Sequence, residues 1–348
     1  GMGYALAKDH YCVLIDQIVR IRGERSKYHG ESHLDVDFGW KAYGLVQMSE
    51  DNFHKLDDDI QQMLIGYTAG YNRFREENPE DIPSDCKDKS WIRDINHIDL
   101  LAYYLGLGLK ASGENFVKEV GSAQPPSRLN QPTVPEDTVQ SIPPRSLEEA
   151  LSSVKDPEMG SNGWAIGSDL TEEGGLLFSN THFPYWGERR WHESHLTIPG
   201  KLDVYGASLI GVAAINIGFN KNIAWTHTVS TNPRFVVYTL ELKDGEPTEY
   251  LYNDEYIKMT EHDFSVEVLQ DDGSIAVVDR TLYKSKYGWM LNAPQFGWPE
   301  TVGFTFRDAN EGNLNMLGTW FDMNKASNID EFIEAQRSNQ GIPWVYSI

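Results

Sequence analysis

Basic residues are scarce in this sequence. Its 348 residues include 30 Lys and Arg against 52 Asp and Glu, which gives a formal net charge of −22. Proteins that bind the phosphate backbone of nucleic acids need a cluster or stripe of cations, and no segment here has one. The charge balance therefore excludes nucleic acid as the main partner.

Long apolar runs are also missing. A helix that spans a membrane needs about 20 consecutive apolar residues, whereas the longest apolar stretch, residues 100–109, is shorter and contains two glycines. We therefore expect no membrane span. The first residues lack the basic segment and apolar stretch of a signal peptide.

Cysteine is nearly absent, and common catalytic motifs are missing. Cys12 and Cys86 are the two cysteines, and their number allows either two thiols or one disulfide. The sequence has no GxGxxG after a strand, no GxxxxGK[ST], no HExxH and no GxSxG. His192 and His195 are three apart in a predicted strand and would face opposite sides, which argues against a metal site there.

The first 120 residues show the apolar spacing of helices. The spacing predicts a helix over residues 11–21 that ends at Gly23, a second that begins at Ser49 and runs to Phe74, and a third over residues 98–110. Their apolar stripes are interpreted as packing faces.

A proline-rich segment follows. Six prolines lie between residues 124 and 144, interleaved with Ser, Thr, Asn and Gln, a composition typical of an extended connector. A short helix is predicted over residues 147–155. Composition alone favours a plain surface linker over a spacer that is removed.

After Gly160 the pattern becomes strand-like. Short β-branched or aromatic runs alternate with Gly, Asn and Asp, at residues 164–167, 176–179, 195–198, 213–218, 222–229, 235–242, 264–269 and 275–278. A helical pattern returns over residues 314–336. Helices, then many strands, then a helix indicate an α+β fold.

One series of segments in the strand-like part resembles a known family. It begins with Gly-Ser-Asn-Gly-Trp-Ala-Ile-Gly at 160–167 and Ser-Asn-Thr-His-Phe-Pro at 179–184. It continues with Leu-Thr-Ile-Pro-Gly at 196–200, Asn-Ile-Gly-Phe-Asn at 216–220 and Ile-Ala-Trp-Thr-His-Thr-Val at 223–229. In this order the segments resemble the penicillin-acylase family of N-terminal-nucleophile amidohydrolases, especially its acyl-homoserine-lactone and aculeacin acylases. The resemblance covers nearly the whole chain.

The resemblance implies a fold and a division of the chain. The fold is an α+β, four-layer αββα sandwich of the N-terminal-nucleophile hydrolases. Residues 1–123 correspond to a helical α-chain segment, 124–160 to a spacer, and 161–348 to the N-terminal part of a β chain. The precursor cuts itself between Gly160 and Ser161, which gives an α/β heterodimer and replaces the plain-linker interpretation.

An N-terminal nucleophile has a simple chemical basis. A free α-amine has a pKa of ~7.7–8.0, so near neutral pH a useful fraction is unprotonated and can take the hydroxyl proton of the same residue. In the uncut chain this nitrogen is an amide and cannot act as a base. Cleavage before Ser161 therefore activates the site.

The resemblance also assigns other site residues. The backbone N–H of Val229 corresponds to an oxyanion donor, and His182 to a position beside the nucleophile. The segment that corresponds to the calcium site of penicillin G acylases is Ser-Thr-Asn-Pro-Arg at 230–234. Because it contains no carboxylate, we expect no metal. No cofactor is expected either. The residues that match or neighbour positions lining the acyl pocket are Phe183, Trp186, Trp320 and Trp344.

The expected function is hydrolysis of the amide in a small N-acyl molecule through an acyl-enzyme on Ser161. A long-chain acyl-homoserine lactone is the preferred substrate, which would make the protein a quorum-quenching enzyme. The alternatives are a penicillin or lipopeptide acylase of the aculeacin type, or an uncleaved aromatic-rich binding module without activity.

The family resemblance implies export and a disulfide. Because the family is usually exported and its members have cysteines at matching places, we expect a Cys12–Cys86 disulfide and a periplasmic or extracellular location. Both ends are interpreted as cut from a longer protein. A second oxyanion donor, an asparagine, is expected beyond Ile348, so these residues alone are expected to be inactive.

Overall fold

The computed structural model describes residues 1–110, 112–126, 160–172, 174–230, 232–293, 297–339, 341–342 and 345–348. It is an α+β protein, as predicted: helices fill the described part of residues 1–126, which we call the helical region, and strands dominate residues 160–348, the strand region. The predicted spacer and the helix predicted at 147–155 lie mostly or wholly outside the described residues.

The helices follow the apolar periodicity of the sequence. They are α1 Met2–Ile21, α2 Arg25–His29, α3 Leu34–Tyr43, α4 Leu45–Asn52, α5 Asp58–Glu77, α6 His97–Gly108, α7 Val117–Gly121, α8 Met316–Lys325 and α9 Ile329–Ser338, with 3-10 turns at Glu31–His33, Phe53–Lys55, Pro79–Asp81 and Gly113–Phe116. α6 begins with a capping box, in which Asn96 and Asp99 each accept a backbone N–H of the other. Among the described residues no helix is long and apolar enough to cross a membrane.

α1 and α5 form the centre of the helical core. Tyr11 and Tyr71 are fully buried and stack with ring centroids 4.7 Å apart, and Tyr71 donates a hydrogen bond to the carbonyl of Tyr11 (2.6 Å). The predicted Cys12–Cys86 disulfide is present, with 5.7 Å between the two Cα atoms. It ties α1 to the turn that follows α5.

Buried charges lie where α1 and the end of α6 meet. The Glu114 carboxylate accepts a hydrogen bond from Arg20 Nη1 (2.5 Å) and lies 3.8 Å from Lys110 Nζ, whose side chain is 1% exposed. Burial alone would raise the pKa of Glu114, but Lys110 and Arg20 outweigh it and lower that pKa to about 2. We call these three residues the ion cluster.

The strands form small antiparallel sheets. They are β1 Gly160–Ile166, β2 Leu176–His182, β3 Trp191–Ile198, β4 Leu202–Leu209, β5 Ile217–Asn220, β6 Ala224–Trp225, β7 His227–Val229, β8 Phe235–Lys243, β9 Glu246–Tyr252, β10 Glu255–Lys258, β11 Thr260–Leu269, β12 Ile275–Ser285, β13 Gly288–Trp289, β14 Val302–Asp308 and β15 Val345–Ser347. The strand orders are β1-β2, β3-β4-β5-β6, β15-β7, β10-β9-β8-β14 and β11-β12-β13.

Helix α6 fixes the loop between β4 and β5. The hydroxyls of Tyr103 and Tyr104 donate to the carbonyls of Ile210 (2.8 Å) and Gly211 (3.0 Å). Both tyrosines are buried. The loop that enters the strand region is therefore held by the helical region.

Several of the predicted elements are wrong in their bounds. The helix predicted over 11–21 begins at Met2, and the strand predicted over 222–229 is divided into β6 and β7. The helix predicted from Ser49 is interrupted, because Leu56 is extended (φ −71°, ψ 153°) and α5 starts after Asp57. Residues 213–216 form a buried loop, not a strand, and the apolar run reflects burial. The helix predicted over 314–336 divides into α8 and α9, with Asn328 as the cap of α9.

Candidate active site

Ser161 lies near the start of β1, beside the end of β2. In the antiparallel register Gly160 faces His182 and Ser161 faces Thr181. Ser161 Oγ donates a hydrogen bond to the carbonyl oxygen of Gly160. The hydroxyl is therefore next to the peptide bond that the sequence predicts to be cut.

His182 packs on the residues that flank this serine. The side-chain amide Nδ2 of Asn162 donates to His182 Nε2 (3.1 Å). A Cβ atom at position 160 would lie 3.1 Å from His182 Nδ1, tighter than most Cβ contacts. Glycine at 160 therefore lets the imidazole approach the backbone before Ser161.

Ser161 also lines a narrow, mostly apolar cavity. The centre of a water molecule can occupy only about 10 Å³ of this cavity, which is space for about one water. Its other lining residues are Phe183, Trp191, Leu209, Asn216, His227, Trp320 and Val345. Ser161 and an apolar wall thus meet in one place, an arrangement that can bring an apolar acyl group next to a serine.

His227 is the buried titratable side chain of this cavity. Burial lowers its pKa to about 4, although backbone hydrogen bonds with Asn216 and Tyr346 act in the opposite direction. Trp320 Nε1 donates to His227 Nε2 at 3.0 Å. The imidazole is therefore neutral near neutral pH.

The register of β7 orients the backbone of Val229. Thr226 and Ile348 exchange both N–H···O bonds (2.9 Å each), and Val345 lies opposite Val229. Hydrogen-bonded and non-hydrogen-bonded pairs alternate along an antiparallel ladder, so Val229 belongs to a non-hydrogen-bonded pair. Its N–H therefore points away from β15.

The structure brings some of the predicted residues together. Ser161, Phe183 and Trp320 line one cavity, and His182 adjoins Ser161 through the β1–β2 register. Trp186 is 80% exposed and does not line the cavity, and Trp344 lies outside the described residues. The roles of these residues stay predictions.

Sequence reasoning missed several cavity residues. Trp191, Leu209, Asn216 and Val345 come from three strands and a loop that are far apart in sequence, so no local pattern joins them. His227 had a signal: it is two residues before Val229 in a strand, and residues two apart share a face.

A wider cavity lies elsewhere. The centre of a water molecule can occupy about 160 Å³ of this cavity, and the cavity shares no residue with the Ser161 cavity. Tyr43, Leu105, Trp289 and Phe306 provide its apolar part. Its described lining includes no serine, threonine or cysteine, and the predicted nucleophile Ser161 is not part of it.

Comparison with known proteins identifies the family. The family described as penicillin amidase matches residues 1–348. The chain therefore belongs to the penicillin amidase family, which confirms the resemblance seen in the sequence.

Named relatives include two kinds of acylase. The acyl-homoserine lactone acylase PvdQ of Pseudomonas savastanoi pv. phaseolicola is 36% identical over 359 residues, which are 100% of this chain and 46% of the relative. The aculeacin-A acylase of Actinoplanes utahensis is 30% identical over 361 residues, 99% of this chain and 44% of the relative. The chain thus spans about half the length of these relatives.

A solved structure is also similar. It is a thermostable penicillin G acylase from Alcaligenes faecalis, with a TM-score of 0.42 and 20% identity over 50% of this chain and 30% of that one. The family assignment does not depend on this likeness.

Proposed function

We propose that this chain belongs to an amidohydrolase that cleaves N-acylated small molecules, with long-chain acyl-homoserine lactones as its preferred substrates and quorum quenching as its role. The carrying observation is that Ser161 has its hydroxyl at the Gly160 carbonyl and also lines an apolar cavity. The names of the relatives support an acylase.

The first proposed reaction is self-cleavage. Ser161 Oγ attacks the carbonyl carbon of Gly160, the C–N bond breaks, and the acyl group passes to Oγ as the nitrogen becomes a free amine. Water then hydrolyses this ester, which leaves a carboxylate on Gly160 and restores the hydroxyl of Ser161. His182, packed on Gly160 and Asn162, holds this turn in place.

The second proposed reaction uses the new α-amine as the base. It takes the proton of Ser161 Oγ as the oxygen attacks the acyl carbonyl, and the Val229 N–H donates to the oxyanion. The proton then passes to the leaving amine, and the acyl group remains on Oγ as an ester. Water attacks this ester and releases the free acid.

The cavity walls favour an acyl group as the occupant. Phe183 and Trp320 line it and are buried. The acyl-pocket roles of Trp186 and Trp344 are proposed from the family resemblance alone. Because the cavity holds about one water, side chains must move to admit a chain. The alternative substrates are penicillins and lipopeptides, consistent with the aculeacin-A relative.

The family membership supports further proposals on organisation. We propose a four-layer αββα sandwich and a heterodimer of an α chain from residues 1–123 and a β chain that starts at Ser161, with residues 124–160 as spacer. The Cys12–Cys86 disulfide supports an oxidising compartment, and we propose a periplasmic or extracellular location.

The test compares substrates and a nucleophile variant. Because residues 1–348 alone are expected to be inactive, this and every later activity measurement uses the full-length protein. Release of free amine is measured from a long-chain N-acyl-homoserine lactone and from a phenylacetyl amide. We expect faster turnover of the long-chain lactone, and Ser161→Ala to lower both by at least about a thousandfold, while the exposed Ser168→Ala control leaves them unchanged. Undiminished activity in Ser161→Ala would refute the mechanism, and faster turnover of the phenylacetyl amide would favour a penicillin acylase.

A further inference from the structure

His227 occupies a part of the cavity wall that the proposed chemistry does not use. It lies on β7 and is 6% exposed. Ser347 of β15 is its partner in the strand register. The imidazole therefore contacts the cavity and β15 at the same time.

Both ring nitrogens of His227 are engaged. Trp320 Nε1 lies 3.0 Å from His227 Nε2, and Ser347 Oγ lies 3.1 Å from His227 Nδ1. An indole nitrogen can only donate, so Nε2 is the acceptor and the neutral ring carries its proton on Nδ1, which donates to Ser347. No lone pair remains to take a proton from Ser161.

The hydrogen bond fixes the orientation of Trp320. The indole lies on α8, is 1% exposed and lines the cavity. A buried N–H without an acceptor is costly, so the orientation that points the indole nitrogen at His227 is favoured over others. Because the cavity is so narrow, a rotation of the indole would change a large part of its space.

We propose that His227 is a positioning residue, which holds the Trp320 indole in one orientation and so sets the length of the acyl chain that the cavity admits. This rests on the proposed function, because it assigns the cavity to the acyl group of the substrate. His227 acts through Trp320 and transfers no proton.

Two variants at one position separate positioning from bulk. His227→Leu removes both hydrogen bonds of the ring, whereas His227→Gln keeps an amide oxygen that can accept from the indole. Values of kcat and KM are measured for short-chain and long-chain N-acyl-homoserine lactones over a range of pH. We expect His227→Leu to change the long-to-short ratio of kcat/KM by about tenfold, mainly through KM, and His227→Gln to restore the ratio.

The pH profile of kcat is the control for proton transfer. Because His227 is proposed to transfer no proton, we expect both variants to have the same profile as the wild type. Equal losses on short and long chains, a shifted profile, or a Gln variant that behaves like the Leu variant would overturn the proposal. If His227→Leu does not fold, Trp320→Phe is used instead. It keeps the histidine but removes the indole N–H that donates to it, together with part of the ring. It is expected to change the same ratio, and an unchanged ratio would overturn the proposal.

A binding measurement that needs no turnover tests the positioning role of His227 separately from the proposed amidohydrolase activity. Free short-chain and long-chain fatty acids are titrated into the wild type and the His227 variants by calorimetry. A wild type that hydrolyses no N-acyl amide refutes the proposed function, whereas a His227-dependent ratio of the two affinities still supports the positioning role. Affinities whose ratio does not respond to His227→Leu would overturn it.

Discussion

The helical region and the strand region differ in how they bury their aromatic side chains. In the helical region Tyr11, Tyr71 and Trp40 are fully buried in one core. In the strand region the β1–β2 hairpin, which carries Ser161, leaves Trp164 53% and Phe178 59% exposed. The helical region is therefore stabilised by packing of helices on one another, whereas the proposed nucleophile Ser161 lies on a strand pair with one lightly packed face.

The largest effect on stability is expected in the ion cluster of the helical region. Glu114→Gln removes the carboxylate and leaves the buried charges of Arg20 and Lys110 without their counter-ion. We expect this to lower the free energy of unfolding by about 3–5 kcal/mol. Denaturant unfolding measures the loss. The matched control is Glu80→Gln, because Glu80 pairs with Lys87 on the surface and its removal is expected to leave the midpoint unchanged. Equal midpoints for all three proteins would contradict a structural role for the cluster.

The second effect tests the disulfide of the same region. The sequence separation of Cys12 and Cys86 is 74, and loss of a crosslink of this span costs about 4 kcal/mol in the chain-entropy model. The double variant Cys12→Ser, Cys86→Ser is compared with the oxidised wild type by thermal unfolding. Hydrogen exchange should rise mainly in α1 and α5. A rise confined to the strand region would contradict this account.

A third effect, in the strand region, depends on pH. The folded pKa of His227 is about 4, below its ordinary 6.5, so between these values the unfolded chain binds a proton that the folded chain does not. The free energy of unfolding therefore falls as pH drops from about 6.5 to 4, by about 3 kcal/mol from this group. Unfolding of His227→Gln, followed against pH, should lack that part of the decline. An identical decline in both proteins would contradict the burial of a neutral ring.

The smallest effect is expected on the exposed face of the hairpin. Trp164 and Phe178 are opposite each other, with ring centroids 5.4 Å apart, and an exposed cross-strand pair contributes about 0.2–1 kcal/mol. Trp164→Thr should therefore cost less than about 1 kcal/mol in denaturant unfolding. The same substitution at buried Trp40 should cost about 3–5 kcal/mol. Similar losses at both sites would remove the contrast between the two regions.

The sequence predicted the helices better than the site. α6 was predicted to within two residues at both ends, and the predicted end of α1 at residue 21 is right. Both helices have a regular apolar stripe that depends on neighbours along the chain. The start of α1 was placed nine residues too late, because α1 already begins at Met2. The start of α5 was missed because the apolar spacing continues through Leu56, where the backbone is extended. Ser49 does not begin a helix: it lies within α4 and donates its hydroxyl to the carbonyl of Leu45. Local patterns contain no information on this interruption.

Prediction of the site depended on family resemblance. Ser161, Phe183 and Trp320 were named from motifs, and the structure brings these three to one cavity. Asn216 and Trp191 were not named as site residues, because they reach the cavity through a buried loop and the start of β3. Their places are set by non-local pairing, such as the hydrogen bond that the Leu209 N–H donates to Asn216 Oδ1 (2.8 Å), which no sequence spacing indicates.

The central claim is that the chain is cut before Ser161, and mass spectrometry of the purified protein with N-terminal sequencing tests it most directly. We expect two chains, of which the second begins Ser-Asn-Gly-Trp, and a single uncut chain for Ser161→Ala. A wild type that stays one uncut polypeptide would contradict the claim and favour the binding module, and a Ser161→Ala variant cut at the same bond would show that another residue is the nucleophile.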